Sequence, residues 1–373
     1  MIAAAISGTG LYTPPLSISN DELVACYNAY VERYNAENAS AIAAGTTPAL
    51  ATSSSEFIFK ASGIQSRHVV DREGILNIDI MRPRIPTRPD DEPSLMCEMA
   101  LAAAREALTN AKRDAADVDL IIVACSNMQR GYPAMAVELQ HYLGANGFAY
   151  DMNVACASAA FGITAAVDAV RMGTARVALV VNPEICSGHL NWRNRDCHFI
   201  FGDAATAVVI EPLDGVKSDV HFEVLGTRLK TQFSSNIRNN FGFLNACEIQ
   251  QRSWDDILFH QEGRKVFKEV VPMVAELMLA HLGDLGVDPG SVKRFWLHQA
   301  NLGMNQLIAK RVLGREPDRI EAPVILDEYA NTSSAGSVIA LHKHHQDMKA
   351  GEVGVLCAFG AGYSAGSVVI KRL

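Results

Sequence analysis

The sequence predicts a layered α/β protein in which one series of elements runs twice. Three observations carry this. Short apolar runs such as VDLIIVA (118–124), VALVV (177–181) and GVLCAF (354–359) lack polar alternation, as strands covered on both faces do. Helical stretches separate these runs, so strands and helices alternate. The alternation then repeats, with a break near residues 212–216. Internal identity is faint, so the repeat rests on element order. The expected division is 1–212 and 213–373.

Each element has a local reason. Ile2–Ile6 reads as a first strand, ended by Gly8-Thr9-Gly10. Residues 35–55 are small and polar and read as a mobile loop or a weak, broken helix. Residues 81–93 (MRPRIPTRPDDEP) hold four prolines and must be an extended surface excursion. Leu95–Lys112 is Ala-rich and helical, and Val118–Ala124 is a buried strand. Glu138–Leu143 is helical. Phe148–Ala155 is a strand, Ala157–Met172 a helix, and Val177–Val181 and Gly202–Ile210 two more strands. In the second series, Gly263–Leu282 is an amphipathic helix and Val292–Leu297 a strand. Met304–Leu313 and Ser333–Lys349 are helices, and Gly354–Phe359 and Ser367–Ile370 are strands joined through GAGYSAG.

Composition narrows the function. The chain has 373 residues, 49% of them hydrophobic, which is long for one core. A net charge of −8 gives no basic face for nucleic acid. The eight cysteines are scattered, with no CxxC pair, which suits a reducing, cytoplasmic compartment. The N-terminus lacks a basic n-region, and no apolar run is long enough to cross a bilayer.

Four stretches could carry chemistry. Cys156 lies where a strand turns into a helix. The N–H groups and dipole of a helix N-terminus favour a thiolate there. On residue type alone, it reads as one more small buried residue. His298, in WLHQAN, ends a strand and can act as donor or base, or serve as a hydrogen-bonded structural residue. Asn331, in ANTSSAG, precedes a helix, and a cap is its simplest reading. The glycines of AFGAGYSAG let backbone amides face a ligand oxygen, but their spacing misses the dinucleotide fingerprint. HKHH (342–345) lies on a predicted helix, so its histidines diverge. It reads as a solvated face and not a metal site.

Taken in order, ISGTGLYTP, GIQSRH, the turn cysteine, FGDAATAVV, HQAN, NTSSAG and FGAGYSAGS resemble the β-ketoacyl-acyl-carrier-protein synthase III family of thiolase-superfamily condensing enzymes. The resemblance spans nearly the whole chain. It implies a five-layer αβαβα fold of two related halves with mixed sheets, usually a homodimer. It also implies condensation of an acyl-CoA primer with malonyl-acyl-carrier protein, without metal or redox cofactor. On this reading Cys156 is the acylated nucleophile, and His298 and Asn331 bind the malonyl thioester oxygen. The N–H groups of Cys156 and Ala361 form the oxyanion hole.

Matching positions suggest substrate contacts at Phe57, Gln65, Arg195, Phe201, Arg264 and Asn301. Tyr132 and Met135 lie on the segment that reaches the partner's acyl pocket. Lys268, Lys310 and Arg311 are candidates for docking the carrier protein, although their simplest reading is a solvated helix face. Phe57 and Gln65 stand where the family often has Trp and Arg, and Gly303 where it often has a docking Arg. These departures, with segments 26–55 and 71–95 that look longer than in the housekeeping enzyme, favour a primer other than acetyl-CoA, such as a medium-chain acyl-CoA. Two alternatives are condensation of two acyl-CoAs or acyl transfer to a small molecule, as in secondary metabolism, and a thioesterase-like or acyl-binding role.

Overall fold

The computed structural model describes residues 2–250 and 253–373. Nine strands form one mixed sheet: β1 (Ala4–Tyr12), β2 (Leu120–Ala124), β3 (Phe148–Met152), β4 (Ala178–Ile185), β5 (Asp203–Pro212), β6 (Phe222–Ser234), β7 (Val292–Leu297), β8 (Val353–Gly360) and β9 (Gly362–Arg372). Their spatial order is β7-β8-β9-β6-β1-β5-β4-β2-β3. The main helices are α1 (Asn20–Glu37), α2 (Ser55–Ser62), α3 (Leu95–Ala111), α4 (Met135–Leu143), α5 (Ser158–Arg171), α6 (Gly263–Asp284), α7 (Leu302–Leu313) and α8 (Ala335–Lys343).

The sheet consists of two sets joined edge to edge. β1 meets β6 through only two pairs, Ala5 with Glu223 and Ile6 with Phe222. Each set is mixed. β2 runs parallel to β3 and β4, and β7 parallel to β8, while the remaining pairings are antiparallel. In both sets the first strand lies beside the last, and the last beside the one before it.

The period of two along each strand assigns side chains to layers. In β2, Ile121 and Val123 face α3, while Ile122 and Ala124 face α5. In β8, Leu356 and Ala358 face the central helices α5 and α8, while Val355, Cys357 and Phe359 face α6 and α7. The result is five layers: α3 and α4, the first set of strands, α5 and α8, the second set, then α6 and α7. A fourth apolar cluster joins α1 and α2 to the segment 186–201.

Four expectations change. Gly8 and Gly10 do not end the first strand; they lie inside β1. A Cβ at Gly8 would overlap the Ala107 carbonyl, and one at Gly10 the Ala103 carbonyl, so these glycines let α3 sit directly on the strand. The segment after α1 takes the broken-helix reading, with a short helix at Ala39–Ala43, and is tied down instead of mobile. Asn28 and Asn35, two helical turns apart, each clamp a returning backbone residue: Asn28 holds Ser53 (2.9 and 3.1 Å) and Asn35 holds Leu50 (2.9 and 3.0 Å). The last helix begins at Ala335 and stops at Lys343. HKHH is therefore not a solvated helix face: His342 Nδ1 meets Thr9 Oγ1 at 2.9 Å, and His345 Nδ1 meets the Leu341 carbonyl at 2.9 Å. The proline-rich segment 81–93 is extended, as expected, and is anchored by Arg84 to Asp71 (3.0 Å) and Arg88 to Glu98 (2.7 Å).

Gly10→Ala should cost about 1–3 kcal/mol or more, because the added methyl meets backbone and not a mobile side chain. Urea unfolding monitored by circular dichroism would show this as a lower midpoint with an unchanged slope.

Candidate active site

The turn at Cys156 is built by its neighbours. After β3, Asn153 Oδ1 accepts the Ala155 N–H (3.0 Å), and Ser158 Oγ accepts the Val154 N–H (2.8 Å). Ala155 takes φ 47°, a left-handed value that costs a non-glycine residue about 1 kcal/mol or more. One tight turn, Ala155–Ala157, then leads into α5. Across from it, a Cβ on Gly360 would overlap the Cβ of Cys156, so only glycine lets the β8–β9 turn come this close.

Cys156 is half-buried. Ser333 Oγ donates to its sulfur at 3.4 Å, and the N–H groups of Cys156 and Ala361 also face it. Burial nevertheless pushes the thiol up to about 11, helped by nearby Glu184. The thiolate expected at a helix N-terminus is therefore not the resting form, because desolvation outweighs the three donors.

His298 follows β7. Its N–H extends the ladder to the Cys357 carbonyl (2.8 Å), and its ring stands edge-on to Phe359 (5.2 Å, 89°). Burial lowers its pKa to about 4, with a hydrogen bond to the Ser333 backbone opposing in part, so the ring is neutral at neutral pH. Asn331 is not a helix cap; α8 begins after Ser334. Its backbone bridges Phe201 through the Ile200 carbonyl (2.9 Å) and the Gly202 N–H (3.1 Å). Its Oδ1 accepts the Ser333 N–H at 2.8 Å. Cys156, His298 and Asn331 line one cavity of 760 Å³, together with Phe57, Phe201, Arg264 and Asn301.

The pattern of 3-oxoacyl-[acyl-carrier-protein] synthase III matches residues 150–232, and that of its C-terminal part matches 282–372. A β-ketodecanoyl-[acyl-carrier-protein] synthase of Pseudomonas aeruginosa is 60% identical over 346 residues, covering 93% of this chain and 99% of the relative. This chain belongs to the β-ketoacyl-acyl-carrier-protein synthase III family. A synthase III of Mesorhizobium japonicum is 30% identical, over 85% of this chain and 91% of its own. The crystal structure of synthase III from Aquifex aeolicus VF5 superposes with a TM-score of 0.76 at 25% identity, covering 99% of both chains. The priming β-ketosynthase of the R1128 polyketide pathway (TM-score 0.78, 24% identity, 99% of this chain and 96% of that one) shares the fold.

Within this synthase III chain, the other expected residues divide. Phe57 lines the cavity, and the Arg195 guanidinium lies 4.0 Å from its ring centroid, with Nε donating to the Thr52 carbonyl at 2.7 Å. Asn301 does more than line the wall: it caps α7 through Met304 N (3.2 Å) and holds the Ala61 carbonyl of α2 (2.8 Å). Gln65 is not at the site. It lines a separate cavity of 320 Å³, and its N–H is held by the Asp327 carbonyl at 3.0 Å; Ala61 and Ser62 occupy the wall instead. Met135 is buried in its own chain's outer core, whereas Tyr132 is 81% exposed. Lys268 and Arg311 are exposed, and Lys310 pairs with Glu316.

The sequence reading missed Glu184. This buried carboxylate accepts from Ser126 N (2.9 Å), Ser126 Oγ (2.6 Å), Ser334 N (3.1 Å) and Ser334 Oγ. A lone acid inside the apolar run of β4 was the available signal. It also missed Phe199, Ile237 and Phe259 on the cavity wall, which carry no motif. Among the described residues, no His, Cys, Asp and Glu cluster could hold a metal ion, and no helix is long and apolar enough to cross a membrane.

Two outcomes follow from this geometry. Gly360→Ala should slow alkylation of Cys156 about tenfold and also lower the melting temperature, because the added methyl meets the Cβ of Cys156 and must displace the cysteine turn. The second concerns pH. Burial lowers His189, His198, His281 and His298 to about 4, while the unfolded chain binds those protons near 6.5. The unfolded state thus holds more protons between these values, so their contribution is complete above pH 6.5 and is lost as pH falls toward 4. Asp203, raised to about 6 by burial, acts in the opposite sense, as do Glu184 and Asp151, which burial also raises; His342, His344 and His345, lowered by burial, add to the larger histidine side. Scanning calorimetry should give a Tm several degrees lower at pH 5 than at pH 7; a flat or rising profile would contradict the assignment.

Proposed function

We propose that this synthase transfers a medium-chain acyl group from CoA to Cys156 and condenses it with malonyl-acyl-carrier protein. The observation that carries this is the convergence of Cys156, His298 and Asn331 on one cavity, with the Ala361 N–H on the sulfur. The chain length follows from the Pseudomonas relative. A ten-carbon 3-oxo product, made by adding two carbons, starts from an octanoyl primer.

In the first half-reaction, the Cys156 sulfur attacks the thioester carbonyl carbon. The N–H groups of Cys156 and Ala361 hold the oxyanion, and the CoA sulfur departs with the thiol proton. In the second, His298 and Asn331 donate to the malonyl thioester oxygen. The bond to the carboxylate breaks, carbon dioxide leaves, and its electron pair becomes an enolate. The enolate carbon attacks the acyl carbon and expels the Cys156 thiolate, which takes up a proton. A neutral His298 suits this role, since it donates without bringing a charge into a buried site.

Residues 1–212 would then supply the nucleophile, and 213–373 the His and Asn. Among the described residues strand β3 pairs only with β2, and Phe148 and Tyr150 on it are partly exposed, which supports a homodimer across that edge. Tyr132 is exposed, as a residue reaching a partner's acyl pocket would be. Lys268, Lys310, Arg311 and Arg264 are the docking candidates for an acidic carrier protein. Eight free thiols fit a reducing cytoplasm.

Intact-mass spectrometry after incubation with acetyl-, butyryl-, octanoyl- and palmitoyl-CoA tests this reading. One octanoyl adduct is expected on the wild type and none on Cys156→Ala. His298→Ala and Asn331→Ala should still acylate but lose condensation by about 10²–10³-fold. A clear preference for acetyl-CoA would overturn the medium-chain assignment, and an adduct surviving in Cys156→Ala would overturn the nucleophile.

A further inference from the structure

Ser333 stands outside the three side chains assigned above, yet every part of it touches them. Its hydroxyl donates to the Cys156 sulfur at 3.4 Å. Its N–H is held by Asn331 Oδ1 at 2.8 Å, and its backbone hydrogen-bonds the His298 ring. The residue is 1% exposed and takes φ 50°, a left-handed value that serine adopts only when its surroundings impose it. They do: Asn331 grips the residue itself, and Glu184 grips the next one through Ser334 N (3.1 Å) and Ser334 Oγ. Ser333 does not line the cavity, so its hydroxyl reaches the sulfur from within the protein, without occupying substrate space.

We propose that Ser333 is a further catalytic residue, whose hydroxyl holds negative charge on the Cys156 sulfur by a hydrogen bond. This rests on the reading of Cys156 as the nucleophile. Charge rests on that sulfur twice: when it gives up its proton ahead of attack on the primer thioester, and as the new carbon–carbon bond expels it. In the first event the thiol proton goes to the departing CoA sulfur. In the second the thiolate takes one proton from solvent. Ser333 keeps its own proton throughout and supplies a dipole.

The surroundings make such a dipole necessary. The titratable groups near the sulfur are Glu184 of β4, Cys186 just after that strand, and His298 at the end of β7. Glu184 opposes a thiolate, and His298 is neutral, so no cation balances the charge. What remains are neutral donors: two backbone N–H groups and the Ser333 hydroxyl. A hydrogen bond to a charged acceptor is worth more than one to a neutral partner, so the gain appears when the thiolate forms.

Ser333→Ala and Ser333→Gly both remove the hydroxyl, and glycine accepts the backbone conformation without strain. The readout is the rate of iodoacetamide alkylation at Cys156 against pH, followed by mass spectrometry of its peptide. In both variants the rate at neutral pH should fall about tenfold, the midpoint should move to higher pH, and the plateau should stay the same. Malonyl decarboxylation, which uses His298 and Asn331, should change far less. A variant that melts like the wild type and keeps the wild-type alkylation midpoint overturns the proposal. Alkylation needs no thioester. A wild-type protein that alkylates normally but accepts no acyl group would therefore overturn the proposed function, while the shift in Ser333→Ala would still decide the role of Ser333.

Discussion

The carboxylate of Glu184 is buried without a cation beside it. Such a group is tolerated only when hydrogen bonds replace the water it has lost. Five donors do so, two from Ser126, two from Ser334 and the Cys186 thiol at 3.7 Å. These serines lie on loops that leave different layers of the protein, so satisfying one carboxylate fixes both loops at once. Ser334 fixes Ser333, and Ser333 meets Cys156, His298 and Asn331. The geometry of the site thus descends from a desolvation cost inside β4.

A second constraint is the scarcity of charge at the centre. Burial raises the thiol of Cys156 and lowers the imidazole of His298, so both rest neutral. A thiolate–imidazolium pair, familiar from other cysteine enzymes, would have to form against desolvation on both sides. The site offers fixed dipoles instead: backbone N–H groups, a hydroxyl, an amide and a neutral ring. Such groups stabilise charge as it develops and need little rearrangement to do it.

The sequence shows the layers well and the walls poorly. Runs such as LIIVA in β2 and GVLCAF in β8 announce buried strands, because cover on both faces leaves no polar position. Cys156, His298 and Asn331 were legible because each sits where an element ends, a position that shows in one dimension. Gln65 was misplaced because a short count from Gly63 says nothing about which side of the chain faces the cavity. Met135 failed because a helix start and a protruding loop look alike in sequence. Gly8 and Gly10 read as a turn, although their glycines serve a helix approaching from 90 residues away. Glu184 went unseen because its partners, Ser126 and Ser334, are 58 and 150 residues distant.

The loop that returns along α1 has a consequence for how such an enzyme changes over time. Thr52, on that loop, holds Arg195 flat against Phe57, at the cavity wall and away from the sulfur. The loop hangs from two asparagine clamps on a single helix and not from the central layers. Lengthening, shortening or replacing it would reshape the cavity wall at Phe57 and Arg195 and leave the cysteine turn as it is. The outer wall of the cavity and the cysteine turn are thus separable parts, free to evolve at different rates on one scaffold.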